Sequence, residues 1–289
     1  LRGAVWLTVS VVIVGALLRG LCFWSTPILE DDFYRYLWDG VVTSHGYNPY
    51  RYAPVEMIRI SDAPEELRAL AEAGPIERVN HPRIGTICPP IGQGAFALAA
   101  LIEPWGLGAW RFVLLLFDGA ALGIVLLTLR SMQQPLHWAA VYWWNPVLLV
   151  ECVNSAHMDA LLLPFLAAAF YASVCNRPRW VVVALGFASA IKIWPAMLVP
   201  LLLRGLGLSR RAYAGLLLAF VLLTGVLFAP LIGTKDLDGE SGFVAYGERW
   251  EMNDALFMAG LKLSEVLVAP FDLEEPVRAV NLLARLLAA

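Results

Sequence analysis

The chain has 289 residues, of which 59% are hydrophobic and only 16% are charged, and its mean hydropathy is +0.66. Soluble domains carry about 25% charged residues, so this composition excludes an ordinary soluble domain and predicts an all-α integral membrane protein. The net charge of −3 gives no basic field for nucleic acid, and we expect no nucleic-acid partner. The four cysteines have no metal-ligand spacing, and the residues indicate no metal or other cofactor, a divalent cation included.

Long apolar runs predict the membrane helices. At about 1.5 Å per residue, a run of about 20 residues crosses a hydrocarbon core of about 30 Å. The runs of suitable or nearly suitable length are roughly 4–24, 110–130, 138–153, 158–174, 180–203 and 213–232. The run 91–102 is too short to span comfortably, and it predicts a re-entrant or interfacial helix.

The run 180–203 contains a lysine near its middle. Lys192 at the centre of a bilayer would cost about 2.5–3.5 kcal/mol on insertion scales, and Pro195 would break the helical hydrogen-bond ladder just after it. We therefore predict two short helices that meet near Lys192, with the lysine at an aqueous pocket.

Basic residues in short loops set the predicted orientation, because such loops favour the cytoplasmic side. They are Arg130, Arg177, Arg179, Arg204, Arg210 and Arg211. All of them fall inside if helix 1 runs outward, the run 91–102 only dips into the membrane, and the run 180–203 turns back at Lys192. This topology places Lys192, the turn 154–159 and both long loops on the extracytoplasmic side.

We therefore predict a single transmembrane domain over 1–289, truncated at its C-terminus because the chain stops in an apolar run that begins near Val277. The predicted segments are helix 1 at 1–24, an external loop with interfacial and re-entrant helices at 25–109, a transmembrane bundle at 110–232, a second external loop at 233–275 and the start of a further helix at 276–289.

A pair of acids, Asp31 and Asp32, follows helix 1 and opens the segment 33–40, which predicts an interfacial helix rich in aromatic residues. A carboxylate at the lip of a lipid cavity can act as general base on a sugar hydroxyl. The alternative is that both acids only cap the helix N-terminus. The residues alone do not choose between these interpretations.

Other polar residues are candidates for substrate binding, each with a structural alternative. Asn48, Tyr50 and His81 lie in turn sequences of the first external loop, where a turn role competes with a binding role. Arg111, near the outer end of its helix, can pair with a phosphate or extend its head group to the membrane surface. Arg249 lies in an aromatic and charged stretch of the second loop, which can stack a sugar or anchor at the interface.

His157 and Asp159 lie at the turn between two predicted helices, and neither has a third metal ligand nearby in sequence. A histidine hydrogen bond and an aspartate cap are the structural alternative to substrate binding. Lys192 is the strongest single candidate, because a cation there suits a phosphate leaving group. Its alternative is a salt bridge to Asp118 or Asp159.

Several of these motifs resemble a known family. Asp31-Asp32-Phe33-Tyr34-Arg35-Tyr36-Leu37-Trp38-Asp39-Gly40 and Gly46-Tyr47-Asn48-Pro49-Tyr50 resemble the first external loop of GT-C-fold glycosyltransferases. The similarity continues in Asn80-His81-Pro82, in Asn154, His157 and Asp159, and in Lys192-Ile193-Trp194-Pro195. It is closest to bacterial polyprenol-phosphate-mannose-dependent mannosyltransferases. This chain departs from the pattern at Cys88 and at Ser155-Ala156.

The resemblance implies a GT-C-like helix bundle in a bacterial plasma membrane, with an active site that faces the extracytoplasmic side. It implies transfer of a sugar, with mannose expected, from a polyprenyl-phosphate carrier to a lipid-linked or glycan acceptor with inversion at the anomeric carbon. An acid of the first loop is then the base, with Asp32 preferred over Asp31, and Lys192 and Arg111 serve the phosphate. The alternatives are a transporter or flippase of lipid-linked sugars and a non-catalytic scaffold.

Overall fold

The computed structural model describes residues 2–51, 53–55, 64–232, 254–268 and 280. Their regular secondary structure is helical, as predicted, and none of these residues lies in a strand. The α-helices are α1 (Arg2–Trp24), α2 (Phe33–Ser44), α3 (Glu65–Ala73), α4 (Pro90–Ile102), α5 (Leu107–Ser131), α6 (Ala140–Trp143), α7 (Leu163–Val174), α8 (Pro178–Ser189), α9 (Leu198–Arg204), α10 (Arg210–Ile232) and α11 (Asp254–Val268). Short 3-10 or π-helical turns occur at Ile76–Arg78, Leu136–Ala139, Leu148–Asn154, Met158–Leu162 and Trp194–Met197.

Three of the described helices are long and apolar enough to cross a membrane. Their spans are Val5–Trp24 in α1, Leu107–Ser131 in α5 and Arg210–Leu231 in α10, which confirms the predicted runs 4–24, 110–130 and 213–232. The number rises to four if Leu148–Asn154 and Met158–Val174 are counted as one span with a bend of 106° between them. The chain is therefore an all-helical integral membrane protein.

The predicted break at Lys192 is confirmed. α8 ends at Ser189, and helical turns resume at Trp194 and continue into α9. Pro195 has no backbone N–H, so a continuous helix would lose a ladder bond there. The Lys192 side chain is 45% exposed, and it is therefore spared the cost of a fully buried charge.

The predicted helix at 138–153 is not continuous. α6 ends at Trp143, and helical backbone resumes only at Pro146 and continues into the turns Leu148–Asn154, which have π-type hydrogen bonding. The reason lies in Asn145-Pro146, because a proline disfavours the helical backbone of the residue before it and removes a ladder donor. This segment therefore cannot cross the membrane as one helix.

Two of the short helices in the loop after α1, α2 and α4, pack closely on each other. α2 is the predicted interfacial helix, and α4 is the short apolar helix predicted at 91–102. The rings of Tyr36 and Phe96 stack with their centroids 4.9 Å apart. Gly40 of α2 lies so close to α4 that a Cβ there would stand 2.4 Å from the carbonyl oxygen of Phe96. The contact therefore depends on a residue without a side chain.

We expect Gly40→Ala to destabilise the protein by about 1–3 kcal/mol, because the added methyl group would push α2 away from the backbone of α4. Thermal unfolding of the purified protein in detergent measures the loss. Gly94→Ala is the matched control, since a Cβ at Gly94 meets no atom within 4 Å. An unfolding temperature that is equally low for both variants, or unchanged for Gly40→Ala, would contradict this account of the contact.

A buried ion pair ties α1 to the rest of the bundle. Arg19 of α1 is 3% exposed and pairs with Asp118 of α5, which is 1% exposed. Arg19 also donates to the Trp143 carbonyl at 2.6 Å and lies over the Trp143 ring, and the Tyr142 hydroxyl donates to Asp118 at 2.6 Å. Both charges are therefore paired and hydrogen-bonded, which makes their burial tolerable.

Arg19→Leu should lower the free energy of unfolding by about 3–5 kcal/mol, because it leaves Asp118 buried without its counter-charge. Thermal unfolding in detergent is again the measurement. The double variant Arg19→Leu/Asp118→Asn should recover part of the loss, since no unpaired charge remains. A double variant as unstable as the sum of the two single variants would show that the charges do not interact.

A second compact unit comprises Ile84–Ile87 and the chain from Asp236 onward. Of the part from Asp236 onward, the structure describes α11 and residue 280, and within α11 the hydroxyl of Ser264 donates to the Gly260 carbonyl at 2.7 Å. The loop predicted at 233–275 lies largely outside the described residues, and so does the helix predicted at 276–289. Both stay predictions.

Candidate active site

Asp31 and Asp32 share one hydrogen-bond donor. Asn80 Nδ2 donates to Asp31 Oδ1 at 2.6 Å and to Asp32 Oδ1 at 3.0 Å. Asp32 is the first residue before α2, but its side chain makes no capping hydrogen bond to that helix. The two carboxylates are therefore held as a pair by a side chain from a distant part of the loop, and simple helix capping does not describe Asp32.

An open cavity of about 690 Å³ adjoins this pair. Its polar lining includes Glu30, Asp31, Tyr34, Arg78, Asn80 and His81. Its volume falls within the range of about 300–1,000 Å³ that is typical of small-molecule sites. Asp31 faces this cavity and is exposed, whereas Asp32 is half-buried and lies outside the lining.

A line of ionisable side chains leads from Glu30 to Lys192. His157 Nε2 lies 3.4 Å from Glu30 Oε2, and His157 Nδ1 lies 3.5 Å from Asp159 Oδ1. Lys192 Nζ donates to both carboxylate oxygens of Asp159, at 2.8 and 2.7 Å. The salt bridge considered from the sequence is thus present, with Asp159 as the partner. Three remote segments bring their ionisable groups together here.

Glu30, Asp32 and His157 are the described residues that could hold a metal ion, since one ligand atom from each lies within 4.8 Å of the others. The sequence showed no third ligand near His157, and the structure supplies two from the segment after α1. However, His157 Nδ1 accepts the backbone N–H of Asp159 at 3.4 Å, which places the proton of a neutral imidazole on Nε2, facing Glu30. These three side chains thus lie within reach of one ion, and His157 Nε2 lies 3.4 Å from Glu30 Oε2.

Two tyrosines of the loop after α1 are held as neutral phenols. The Tyr36 ring meets the His157 ring edge-on, with centroids 6.1 Å apart, and burial raises the pKa of Tyr36 well above its ordinary value. The Tyr50 hydroxyl donates to the Cys88 carbonyl at 2.9 Å, and burial also raises the pKa of Tyr50. Neither phenol is suited to act as a base.

The other residues predicted to bind substrate lie in different places. His81 lines the cavity, with a left-handed backbone at φ 49°. Asn48 Oδ1 accepts the Tyr50 backbone N–H at 2.9 Å, which is the geometry of the turn that its sequence predicts. Arg249 lies outside the described residues. Binding roles for these residues stay predictions.

Arg111 faces the protein interior. It is 4% exposed, and its guanidinium donates to the carbonyls of Phe23 and Ser25 at 2.6 and 2.8 Å and to the carbonyl of Asn154. These donors are therefore not presented to a phosphate in this structure. The membrane-surface alternative does not describe the residue either, because its head group is buried.

Sequence reasoning missed three residues that organise this region. Glu30 has no predicted role, and the fold places it against His157. Asn154 enters the sequence analysis only through the turn 154–159 and the family resemblance, although it is 4% exposed and bonded to the segment after α1. Arg19 is the single charge within the α1 span, and a lone charge in an apolar run is a signal that could have found it.

The fold and the site together define an all-helical membrane protein in which carboxylates, a histidine and a lysine meet beside an open cavity. A family model described as "Alpha-(1->6)-mannopyranosyltransferase, N-terminal domain" matches residues 21–206, more than half of the chain. The chain therefore belongs to this family, and the resemblance to membrane mannosyltransferases is confirmed. No curated protein and no solved structure matches the chain.

Proposed function

We propose that this protein transfers mannose from a polyprenyl-phosphate carrier to a lipid-linked or glycan acceptor on the extracytoplasmic face of a bacterial plasma membrane. Membership of a mannosyltransferase family supports the sugar and the reaction. The observation that carries the proposal is the Asp31–Asp32 pair, which Asn80 holds beside an open cavity at the end of a membrane-spanning helix. A lipid-linked donor can reach such a site from the bilayer.

The proposed base is one carboxylate of this pair. It takes the proton of an acceptor hydroxyl as that oxygen attacks the anomeric carbon of mannose. The bond from that carbon to the phosphate oxygen breaks, and the electron pair leaves with the polyprenyl phosphate. Attack opposite the leaving group inverts the anomeric centre. An α-(1→6) product, as the family description words it, then requires a β-linked donor.

Asp31 is the better placed of the two acids for this role. It lines the cavity and is exposed, so an acceptor hydroxyl can reach it. Asp32, preferred from the sequence, is half-buried and lies in the group formed with Glu30 and His157. We therefore propose Asp31 as the base, with Asp32 and Asn80 fixing its position.

Lys192 is the proposed cation for the leaving phosphate. An ammonium carries three N–H donors, and two of the directions around Lys192 Nζ are occupied by the oxygens of Asp159. Because the side chain is 45% exposed, a phosphate oxygen can take the third direction. Asp159 then holds the lysine in place, and His157 lies next to both.

The remaining predicted contacts are proposed to surround the sugar and the acceptor. His81 lines the cavity and is closest in position to such a role. Asn48 and Tyr50 shape the turn that follows α2. Arg249 is proposed from its sequence context alone. In this proposal the whole chain forms one GT-C-like domain, and the loop 25–109 lies on the extracytoplasmic side with its interfacial and re-entrant helices.

The donor class is tested with membranes that contain the full-length protein. The assay compares radiolabelled polyprenyl-phosphate mannose with GDP-mannose, in membranes depleted of carrier lipid. We expect transfer from the lipid-linked donor and none from GDP-mannose until carrier lipid is restored. Direct transfer from the nucleotide sugar in carrier-free membranes would overturn the proposed donor.

The alternative of a transporter or flippase has a different signature. It predicts movement of intact lipid-linked mannose between leaflets and no new glycosidic bond. Mass spectrometry of the glycans formed in the same membranes separates the two functions. A labelled mannose that stays on its carrier while it changes leaflet would favour the flippase.

A further inference from the structure

The segment 25–28, which leads from α1 to the acids, has little hydrogen bonding of its own. α1 ends at Trp24, and α2 begins only at Phe33. Within the segment, the one backbone hydrogen bond to a nearby turn is from the Ser25 N–H to the Cys22 carbonyl at 3.3 Å. The segment is also poorly buried, since Ser25, Thr26 and Ile28 are exposed at the protein surface. The carbonyls of the two acids accept backbone hydrogen bonds from the first turn of α2, but the segment 25–28 itself must be held by contacts from other parts of the chain.

Asn154 supplies three of these contacts. Its Nδ2 donates to Ser25 Oγ at 2.6 Å and to the Thr26 carbonyl at 2.7 Å, and its Oδ1 accepts the Ile28 N–H at 3.0 Å. The side chain uses both of its N–H donors and its acceptor on consecutive parts of one segment. At 4% exposure, Asn154 does this away from solvent, where the loss of a hydrogen-bond partner costs most.

Arg111 of α5 joins the two sides of this arrangement. Its guanidinium donates to the Phe23 and Ser25 carbonyls on one side and to the carbonyl of Asn154 on the other. The planar fork of an arginine can hold several oxygens in fixed directions. The buried end of α5 thus binds both the exit of α1 and the turn that carries Asn154.

This turn also leads directly to the other half of the proposed site. His157 and Asp159 follow Asn154 by three and five residues, and Asp159 holds Lys192. One clamp, formed by Asn154 and Arg111, therefore links the segment that carries Asp31 with the segment that orders the phosphate cation. A displacement of about 1 Å between reacting groups can cost about 100-fold in rate.

We infer that Asn154 and Arg111 are positioning residues, which set the distance between the carboxylate pair and the Asp159–Lys192 pair through the segment 25–28. The inference rests on the proposed function for its effect on rate. It assigns no substrate contact to either residue, and it gives Arg111 a role different from the phosphate contact expected from the sequence.

Asn154→Ala tests the inference with two readouts. The turnover number per folded molecule should fall by about 10- to 100-fold, while the KM for the lipid-linked donor changes by less than about threefold, because the clamp touches neither sugar nor phosphate. Hydrogen–deuterium exchange of a peptide covering 25–35 should rise locally, since the Ile28 N–H loses its acceptor. Arg111→Lys, which keeps the charge, should show a smaller change of the same kind.

Asn176→Gly is the matched control, because it removes an exposed asparagine side chain at a left-handed position of φ 54°, where glycine is favoured. Unchanged exchange over 25–35 in Asn154→Ala, or a turnover number per folded molecule within twofold of wild type, would overturn the inference. If Asn154→Ala does not fold, Ser25→Ala replaces it, because it removes one of the three Asn154 contacts together with the bond from Ser25 Oγ to the Cys22 carbonyl. Absence of transfer from the lipid-linked donor in the wild type would instead count against the proposed function. The exchange experiment would still test whether Asn154 holds the segment 25–28.

Discussion

Asp31→Asn should abolish most mannosyl transfer, with a fall in the turnover number of about 10² to 10⁴-fold. The amide keeps the shape of the side chain but cannot take a proton, and general bases contribute about this much to rate. Binding of the polyprenyl-phosphate donor should be nearly unchanged, because the acid faces the acceptor side of the proposed reaction. The measurement is transfer from radiolabelled lipid-linked mannose at saturating donor, together with donor binding to the same membranes.

Asp32→Asn distinguishes the two acids. If Asp31 is the base, this variant should lose less activity than Asp31→Asn, since it changes one partner of Asn80 but leaves the carboxylate at the cavity. Glu65→Gln, an isosteric change of an exposed acid in α3, is the control and should behave as wild type. A loss confined to Asp32→Asn would contradict the choice of Asp31, and unchanged transfer in both variants would remove the pair from catalysis.

Lys192→Met should lower the turnover number by about 10² to 10³-fold. The lysine is proposed to stabilise charge that develops on the phosphate oxygen as the bond to mannose breaks, and the loss of one such group typically costs this much. Lys192→Arg should retain part of the activity, because it keeps the positive charge but spreads it over a planar guanidinium instead of a compact ammonium. Initial rates with the lipid-linked donor give the comparison.

Asp159→Asn separates a catalytic lysine from a purely structural ion pair. It breaks the same salt bridge but leaves the cation, and the asparagine oxygen can still accept a hydrogen bond from Lys192. Both side chains are close to half exposed, so the pair itself contributes little to stability. We expect Asp159→Asn to lose less than about tenfold in rate. Equal losses in Lys192→Met and Asp159→Asn would contradict a phosphate role for the lysine.

Features with a strong local signal were predictable from the sequence. The spans in α1, α5 and α10 follow from apolar runs of sufficient length, and the break near Lys192 follows from one charge in the middle of an apolar run and one proline. The acid pair was found because two carboxylates directly after a membrane helix are conspicuous in so apolar a chain. In each case a few neighbouring residues carry the physical reason.

Features that depend on distant partners were not predictable. Nothing in the sequence states that Arg19 pairs with Asp118, that Asn80 bridges Asp31 and Asp32, or that Asn154 binds the segment after α1, because each contact joins residues far apart in the chain. The discontinuity at 138–153 was missed for another reason: apolar composition outweighed the proline in its middle. The two interpretations of Arg111 both assumed an outward side chain, whereas its donors turn inward to three carbonyls.

Photo-crosslinking tests most directly whether the carboxylate-rich site holds the donor. The probe is a β-linked polyprenyl-phosphate mannose with a diazirine on the mannose ring, applied to membranes that contain the full-length protein. Tryptic peptides 20–35 and 79–83, which carry the acids and Asn80, should be labelled, and unlabelled donor should compete. Competed labelling confined to other peptides, such as 212–235 along α10, would contradict the account.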